Sequence, residues 1–322
     1  MPSDVHLEEE LAHLICEGIL QETKRRRSLI KLKSSVVVSN MEVLNAHPRD
    51  EWVRFQEVDH KYFLVRSSGE EEFPISVSGV WSRHFTPFNA TVTIDKYFRR
   101  WANTETSKYY ALINGFKEQG FCDEDIAGKI QSKWADAGEL ASAQGTRMHR
   151  EIELALRGEL FDNDIEELHV FQDFVKSYLE PRGWRIYRTE WTIYDEGVMV
   201  AGQIDAIFID TSGRLHMVDW KRVRHALDPD AGEIFQRYGS GLCAHLLDNH
   251  FHHYALQQNL YAAILRRKYG LTLTSMNLVR IHPEITGYEV IPVPSWPDLA
   301  DDLLESCRNL GSQRSSASNS NL

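Results

Sequence analysis

Cysteine is scarce in this chain, whose 322 residues include only Cys16, Cys122, Cys243 and Cys307. These residues stand far apart and none forms a CxxC pair, which argues against a disulfide framework and against a zinc ribbon. Long hydrophobic runs are missing as well, because no uncharged apolar segment approaches the roughly 18 residues of a transmembrane helix. We therefore predict a protein that neither spans a membrane nor depends on disulfides for its fold.

The first residues lack the apolar segment of a signal peptide, since Glu8, Glu9 and Glu10 stand where that segment would begin. The same acids argue against a mitochondrial presequence, a type of segment that is poor in acidic residues. Together with the scarcity of cysteine, they predict a soluble protein of a reducing intracellular compartment, the nucleus or the cytoplasm, rather than a secreted one.

Positive charge is also in deficit, because 36 Lys and Arg residues face 47 Asp and Glu residues and give a net charge of −11. This total argues against a protein that coats nucleic acid. Local clusters exist nevertheless: residues 24–33 carry six cations and no acid, and residues 221–224 and 266–268 form smaller clusters. Such clusters are more often solvated surfaces than phosphate contacts, so both interpretations stay open.

Hydrophobic patterning divides the chain into three parts. We expect residues 1–133 to form an extension that positions a substrate or binds a partner. Residues 134–310 would form the core, and the Ser- and Asn-rich residues 311–322 a disordered tail. Within the extension, the patterns predict a helix over 4–33, strands over 35–38, 61–66 and 73–80, and helical structure over 95–133.

The core has an order of elements that predicts a mixed α/β (α+β) fold, in which helices flank a mixed β-sheet. Helical periodicity ends at Gly158, before Pro181 and at Gly270, and turn residues separate the strands. The predicted helices cover residues 135–156, 165–179, 250–269 and 297–308. The predicted strands cover residues 184–194, 198–209, 214–221, 272–281 and 288–292.

Two of these strands form a hairpin that brings acids together. If its turn is centred on Ser212, residues equally far from Ser212 face each other across the antiparallel pair. Asp205 and Asp219 are each seven residues from Ser212, and period-two alternation puts Lys221 on the face of Asp219. Like charges directly opposite each other are destabilising without a compensating cation. The sequence therefore predicts two carboxylates and a lysine at one end of an apolar sheet face.

Two interpretations of these acids compete. A surface cluster of salt bridges accounts for most Asp and Lys pairs on strands, but here the neighbouring residues are largely apolar. Buried acids are paired or bind metal, and hard oxygen ligands favour Mg²⁺ or Mn²⁺. The sequence therefore favours a divalent-metal site.

Two helices carry further polar pairs at a spacing of four residues, which places each pair on one helix face. His149 and Glu153 share a face with Gly145, and Gln257 precedes Tyr261 on the later helix. A lone histidine on such a face is usually part of the core, and the second spacing is common by chance. Gly145 costs the helix about 1 kcal/mol relative to Ala, which predicts close approach of another backbone segment.

Taken in order, these motifs resemble the RecB-like branch of the PD-(D/E)XK nuclease superfamily. The series is Gly145-Thr146…His149, Gly202…Asp205, Asp219-Trp220-Lys221 and Gln257…Tyr261. The resemblance covers residues 134–292 and implies a restriction-endonuclease-like core of helix, three strands, helix and strand. Upstream, Asp59-His60-Lys61-Tyr62 and Ser76-Val77-Ser78 resemble segments that precede this core in viral and phage-type exonuclease-like members.

The resemblance implies a Mg²⁺- or Mn²⁺-dependent deoxyribonuclease of the exonuclease type, whose partner is DNA, either single-stranded or with free ends. Asp205 and Asp219 would hold the metal, with His149 and the Trp220 carbonyl completing its ligands. Lys221 would position or activate the attacking water. The sequence alone does not distinguish end-dependent from internal cleavage, and it identifies no protein partner.

Four further residues have supporting or substrate-binding roles in the resemblance. Gln257 and Tyr261 would support the site or touch the nucleic-acid strand, and Glu153 and Glu190 would contribute further acids. Several RecB-like relatives also carry an iron–sulfur cluster on four cysteines, three of them near the C-terminus. Only Cys307 lies there in this chain, so we predict no such cluster.

Two rival functions remain open. One is a catalytically inactive nucleic-acid-binding or scaffold protein on the same fold, and the other is an interaction module whose acids form salt bridges. The presence of Asp205, Asp219 and Lys221 argues against the first, because an inactive site has no chemical reason to keep all three. A real metal site would be stabilised thermally by Mn²⁺, whereas a salt-bridge cluster would not.

Overall fold

The computed structural model of the chain describes residues 29–30, 34–38, 40–159, 161–162, 165–232 and 237–308. The predicted disordered tail, Cys16 and most of the basic segment 24–33 lie outside these residues, as does most of the helix predicted over 4–33. That helix prediction is wrong at Leu29–Ile30, which form a short strand paired with Phe161–Asp162. The predicted mixed α/β class is confirmed, because helices flank a mixed β-sheet.

The helices agree largely with the sequence periodicity. They are α1 (Met41–Leu44), α2 (Val77–Ser82), α3 (Ala90–Asn103), α4 (Tyr110–Glu118), α5 (Asp123–Leu156), α6 (Glu166–Phe174), α7 (His250–Ile264) and α8 (Pro297–Ser306). The π-helical turns Val175–Leu179 and Leu265–Tyr269 extend α6 and α7 to the predicted ends at 179 and 269. Because α5 begins at Asp123, the boundary placed between residues 133 and 134 falls inside one continuous helix.

The strands also follow the sequence in the core. They are β1 (Leu29–Ile30), β2 (Val53–Gln56), β3 (Lys61–Val65), β4 (Glu71–Glu72), β5 (Ile75–Ser76), β6 (Phe161–Asp162), β7 (Arg185–Asp195), β8 (Val200–Ile209), β9 (Leu215–Lys221), β10 (Leu273–Ile281) and β11 (Tyr288–Pro292). The main sheet has the order β11-β10-β9-β8-β5, and β7 also pairs with β8. Pairs β7–β8, β8–β9 and β10–β11 are antiparallel, whereas β9–β10 and β5–β8 are parallel.

Two strand predictions in the N-terminal part are wrong. Residues 35–38 form turn and irregular backbone rather than a strand. In the strand predicted over 73–80, only Ile75–Ser76 is extended, and α2 follows at once. The reason is local, because the Ser76 side chain accepts a hydrogen bond of 3.0 Å from the Gly79 N–H and caps the helix.

The two faces of the main sheet bury separate apolar clusters. On one face, α5 and α6 supply Ile152 and Phe171, which pack with Phe208 of β8. On the other face, α7 supplies Leu256, which packs with Met217 of β9. The sheet is therefore enclosed between α5 and α6 on one side and α7 on the other, and residues of α5 and α7 can reach its edge.

The edge of β8 that faces β9 is only partly covered. Because β7 pairs along all of β8, β5 and β9 must share its other edge, β5 at Val200–Ala201 and β9 from Ala206 onward. The alternation of side chains between the two sheet faces is also interrupted here. Ile204 and Ile207 are three residues apart and yet contribute to the same apolar cluster. Asp205 lies at this gap, where the regular pleat is interrupted.

A third apolar cluster lies apart from the sheet. It joins α3, α4 and the first half of α5 through residues such as Phe98, Ile113 and Ile130. We call residues 88–134 the helical module. No helix in the described ranges is long and apolar enough to cross a membrane.

Candidate active site

The predicted hairpin register is confirmed. The pairs run from Ile209↔Leu215 to Ala206↔Val218, which is the register of a turn centred on Ser212. Asp205 and Asp219 are the next residues along their strands, and Asp205 Oδ2 accepts a hydrogen bond of 2.8 Å from the Trp220 N–H. The two acids therefore stand side by side where the β8–β9 pairing ends.

Glu190 adds a third carboxylate to this row. Its neighbours Thr189 and Trp191 pair with Ala206 and Ile204, so Glu190 lies opposite Asp205 on the other side of β8. Its backbone has a φ of 44°, in the left-handed region, which non-glycine residues adopt at a cost and mainly at functional sites. From the sequence we predict only a supporting role for Glu190, because the strand pattern does not reveal this register.

His149 of α5 lies over the carboxylates. Its Nδ1 is 3.4 Å from Asp205 Oδ2 and 3.9 Å from Glu190 Oε1. Its Nε2 is 3.0 Å from the Trp220 carbonyl oxygen, which can only accept, so Nε2 is the donor of this hydrogen bond and Nδ1 is the ring nitrogen that faces the acids. Ligand atoms of His149, Glu190 and Asp205 lie within 4.8 Å of one another, a group that could hold a metal ion.

Asp219 and Lys221 form a largely buried ion pair beside this group, with Nζ 2.6 Å from Oδ2. Burial raises the pKa of Asp219 and the neighbouring Asp205 raises it further, against the opposing effect of Lys221. Burial alone would lower the pKa of Lys221, but Asp219 and Asp205 outweigh it and hold that pKa above its usual value. Lys221 Nζ also lies 4.4 Å from the centroid of the Tyr254 ring.

The donor set fits a divalent cation. Burial raises the pKa of Glu190 well above its ordinary value, and the charges of Asp205 and Glu153 add to the effect. Asp219 Oδ1 is buried and accepts no hydrogen bond from any described residue. Crowded carboxylates with an unpartnered buried oxygen need a compensating cation, and carboxylate oxygens with one imidazole nitrogen suit Mn²⁺ or Mg²⁺.

Gln257 and Tyr261 are brought to the same place by α7. Gln257 Nε2 donates a hydrogen bond of 2.9 Å to the Tyr261 hydroxyl. The Tyr261 ring packs against Gly202, where an added Cβ would lie 2.5 Å from Tyr261 Cε1. The close approach that we predicted for Gly145 is wrong, because a Cβ there would meet no described atom within 4 Å. Close approach explains Gly202 instead, the glycine three residues before Asp205.

A cleft of about 580 Å³ is lined by His149, Glu190, Asp205 and Lys221 together with residues of other elements. Its lining comprises Phe55, Glu57, His60, Tyr62, Ser76, Val77, Ser78, Gly145, Thr146, His149, Arg150, Glu153, Glu190, Gln203, Asp205, Lys221, Gln257 and Tyr261. The β2–β3 hairpin and the start of α2 therefore contribute to the site, and they contain the upstream segments identified by resemblance. Sequence reasoning missed Glu57 and Gln203, which stand in no recognisable motif.

Two of the missed or weakly assigned residues have identifiable contacts. Gln203 Nε2 donates a hydrogen bond of 3.1 Å to the Glu190 carbonyl and so supports its left-handed backbone. Glu153 lies 3.1 Å from Arg157 Nη1 and stands apart from the group of His149, Glu190 and Asp205. Glu153 therefore contributes negative charge to the cleft while part of that charge is offset.

The cations of the two smaller basic clusters, residues 221–224 and 266–268, form ion pairs with acids of the protein. Arg266 lies 2.6 Å from Asp301, and Lys268 lies 3.1 Å from Asp195. In the other cluster, Arg222 lies 2.6 Å from Glu167 and Arg224 lies 2.9 Å from Glu284. Of the two interpretations left open by the sequence, the structure supports the one in which these cations are surface and ion-pair residues.

Comparisons with known proteins add little. No family model matches the chain, and no curated protein matches it. Among solved structures, the chain is similar to one described as "Crystal structure of SSO0001", with 15% identity, coverage of 73% of this chain and 75% of that one, and a TM-score of 0.27. A likeness of this strength carries no argument, so a function must be inferred from the site itself.

Proposed function

We propose that this chain is a Mg²⁺- or Mn²⁺-dependent nuclease of the RecB-like type that hydrolyses phosphodiester bonds of DNA. The observation that carries the proposal is the row of Glu190, Asp205 and Asp219 across three neighbouring strands, with His149 above it. Phosphodiester hydrolysis needs an activated water and compensation for the charge of the phosphate, and such a site can supply both.

His149, Glu190 and Asp205 would hold the cation, and the unpartnered Oδ1 of Asp219 would complete the set. When bound, a divalent cation lowers the pKa of a coordinated water and stabilises negative charge on the phosphate. We assign the Trp220 carbonyl, predicted as a ligand, a different role. Its oxygen accepts the Nε2 proton of His149, which fixes the ring so that Nδ1 faces the acids.

Lys221 supplies the positive charge of the chain itself at this wall of the cleft. Asp219 and the Tyr254 ring hold its ammonium group, which restricts the positions of Nζ. An ammonium group fixed in a largely buried position stabilises charge that develops on a phosphate better than one that is free in solvent. Gln257 and Tyr261, which are linked by a hydrogen bond, also line the cleft.

The cleft is too acidic to accept a phosphodiester by itself. Glu57, Glu153, Glu190 and Asp205 line it, whereas its only lining cations in the described chain are Arg150 and Lys221. Both cations are near an acid, Arg150 at 3.8 Å from Glu153 and Lys221 at 2.6 Å from Asp219. The proposed metal is therefore needed for substrate binding at the cleft as well as for chemistry.

The test is incubation of the purified full chain with labelled linear duplex, linear single-stranded and circular single-stranded DNA in Mg²⁺, Mn²⁺ or EDTA. We expect cleavage with either metal and none in EDTA, and cleavage of the circle separates internal from end-dependent cutting. Binding without cleavage under every metal condition would instead support the inactive scaffold. Thermal stabilisation by Mn²⁺ that disappears in Asp205→Asn would support the metal site independently of activity.

A further inference from the structure

A second cavity, of about 550 Å³, lies in the helical module, away from the catalytic cleft. Four aromatic residues form its wall, namely Phe88, Trp101, Tyr109 and Trp134. The rings of Trp101 and Tyr109 have centroids 4.6 Å apart, and those of Phe88 and Trp134 are 5.6 Å apart. Trp134 Nε1 donates a hydrogen bond of 2.7 Å to the Tyr109 hydroxyl, so the polar atoms of these two rings satisfy each other.

This cavity has the opposite charge to the catalytic cleft. Residues 96–108 carry four cations and one acid in a chain with a net charge of −11. Arg100 and Lys108 line the cavity, and Lys108 Nζ lies 5.0 Å from the centroid of the Tyr109 ring. Both side chains are exposed, and neither forms an ion pair with any residue that the structure describes. An aromatic wall with unpaired cations at its rim suits a ligand that is both aromatic and anionic.

Helix α5 connects the cavity with the catalytic cleft. Trp134 lines the cavity, whereas Gly145 and His149 line the cleft, eleven and fifteen residues further along the same helix. At about 100° and about 1.5 Å per residue, Gly145 lies about 20° and His149 about 60° around the helix from Trp134. The two sites therefore occupy one side of a continuous helix, about 17 to 22 Å apart along its axis.

We propose that the helical module binds single-stranded DNA by stacking a nucleobase in this aromatic cavity while Arg100 and Lys108 contact the adjacent phosphates. The proposal rests on the function proposed above and defines its substrate as a strand with an unpaired segment. At about 3.4 Å per nucleotide, roughly five to seven nucleotides bridge the cavity and the cleft. A duplex cannot present the face of an internal base to this cavity without unstacking it, whereas a single strand can.

The test is binding of labelled oligothymidine of about 12 nucleotides in EDTA, which prevents cleavage. Phe88 is 68% exposed, so Phe88→Ala removes a ring without opening the core. We expect Phe88→Ala to weaken binding about 10-fold, the loss typical of one stacked base. Arg100→Ala should weaken binding and flatten the dependence of log K on log[salt] by about one unit.

Arg99→Ala is the matched control, because Arg99 is exposed on the same helix and does not line the cavity. We expect its effect to be less than half of that of Arg100→Ala in the logarithm of K. An abasic nucleotide moved along the oligonucleotide should weaken binding to the wild type at one position. In Phe88→Ala the same scan should show a weaker loss at that position, since one of the four rings of the wall is gone.

Three results would overturn the inference: unchanged affinity in both cavity variants, equal losses for Arg99→Ala and Arg100→Ala, or no binding of the oligonucleotide by the wild type. Its failure is separable from failure of the proposed function. Cleavage with Mn²⁺ but unchanged binding by the cavity variants contradicts the cavity alone. Cavity-dependent binding without cleavage in any metal contradicts the nuclease alone.

Discussion

The cleft proposed as the active site and the aromatic cavity of the helical module differ in how their charges are balanced. In the cleft, carboxylates outnumber cations, and the cations Arg150 and Lys221 each lie near an acid. In the cavity, Arg100 and Lys108 have no acidic partner among the described residues, and aromatic rings replace the acids. Net charge therefore says little about binding to nucleic acid, because a divalent cation can offset clustered acids at one site while unpaired cations at another site can contact phosphates.

The largest effect should come from the cleft, through the pair of Asp219 and Lys221. We expect Asp219→Asn and Lys221→Ala each to lower the cleavage rate at least about 100-fold, because one removes an acid of the proposed metal site and the other the ammonium group proposed to contact the phosphate. The assay is cleavage of single-stranded DNA in Mn²⁺. Asp302→Asn, at an exposed acid of α8, is the control and should retain full activity.

The same two variants should differ in stability. Lys221→Ala leaves Asp219 buried without its partner and should lower the free energy of unfolding by about 3 kcal/mol. Asp219→Asn removes one of two repelling carboxylates and should change it much less. Urea unfolding measures both values. Near-full activity in Asp219→Asn would contradict the site assignment, and equal stability losses would contradict our account of the ion pair.

A change without any change of charge tests the packing of the cleft. Gly202→Ala would place a Cβ 2.5 Å from Tyr261 Cε1, so we expect the ring to move and the free energy of unfolding to fall by about 1 to 3 kcal/mol. Gly145→Ala is the matched control, since its Cβ meets open space in a helix and should raise stability by about 1 kcal/mol. Denaturant unfolding checks both, and effects of the same sign would contradict this account.

Removing one acid from the cleft should weaken its binding of metal and reduce its repulsion of DNA. We expect Glu190→Gln to weaken Mn²⁺ binding about 10-fold, because affinity follows the charge of the ligands. In EDTA, the same variant should bind single-stranded DNA more tightly than the wild type, because one repelling charge is gone. Metal titration and binding in EDTA measure these opposite changes.

Glu153→Gln is the control for this pair of measurements, since Glu153 lines the same cleft but its charge is partly offset by Arg157. It should change Mn²⁺ affinity much less than Glu190→Gln does. If both variants weaken Mn²⁺ binding equally, the effect is one of overall cleft charge, and Glu190 is not a ligand.

The sequence predicts those parts of the site whose geometry follows from the spacing of residues within one hairpin or one helix. The β8–β9 turn fixes which residues face each other, so Asp205, Asp219 and Lys221 could be placed from their distance to Ser212. The helical spacing likewise placed His149 on one face of α5, and the structure sets that face above the sheet. In these cases a local rule determines the geometry, and the fold only has to preserve it.

The remainder depends on contacts that no local pattern encodes. Glu190 comes close to His149 and Asp205 through a positive φ and a register with β8 that the alternation of β7 does not reveal. Ser76 ends a strand by capping α2, although the residues around it alternate as a strand would. Glu57 reaches the cleft from a hairpin distant in sequence and stands in no motif. Tertiary packing decides each of these positions.

The smallest effect on stability and DNA binding should come from cations of the basic clusters that form ion pairs within the protein. Arg266 lies 2.6 Å from Asp301 on the protein surface, so Arg266→Ala should cost less than about 1 kcal/mol of stability. Because its charge is already matched, we expect an unchanged salt dependence of DNA binding, whereas Arg100→Ala should flatten it by about one unit. Binding from low to moderate salt, with wild type and both variants, measures this difference. Equal slopes for the two variants would contradict the distinction between paired and unpaired cations on which the comparison of cleft and cavity depends.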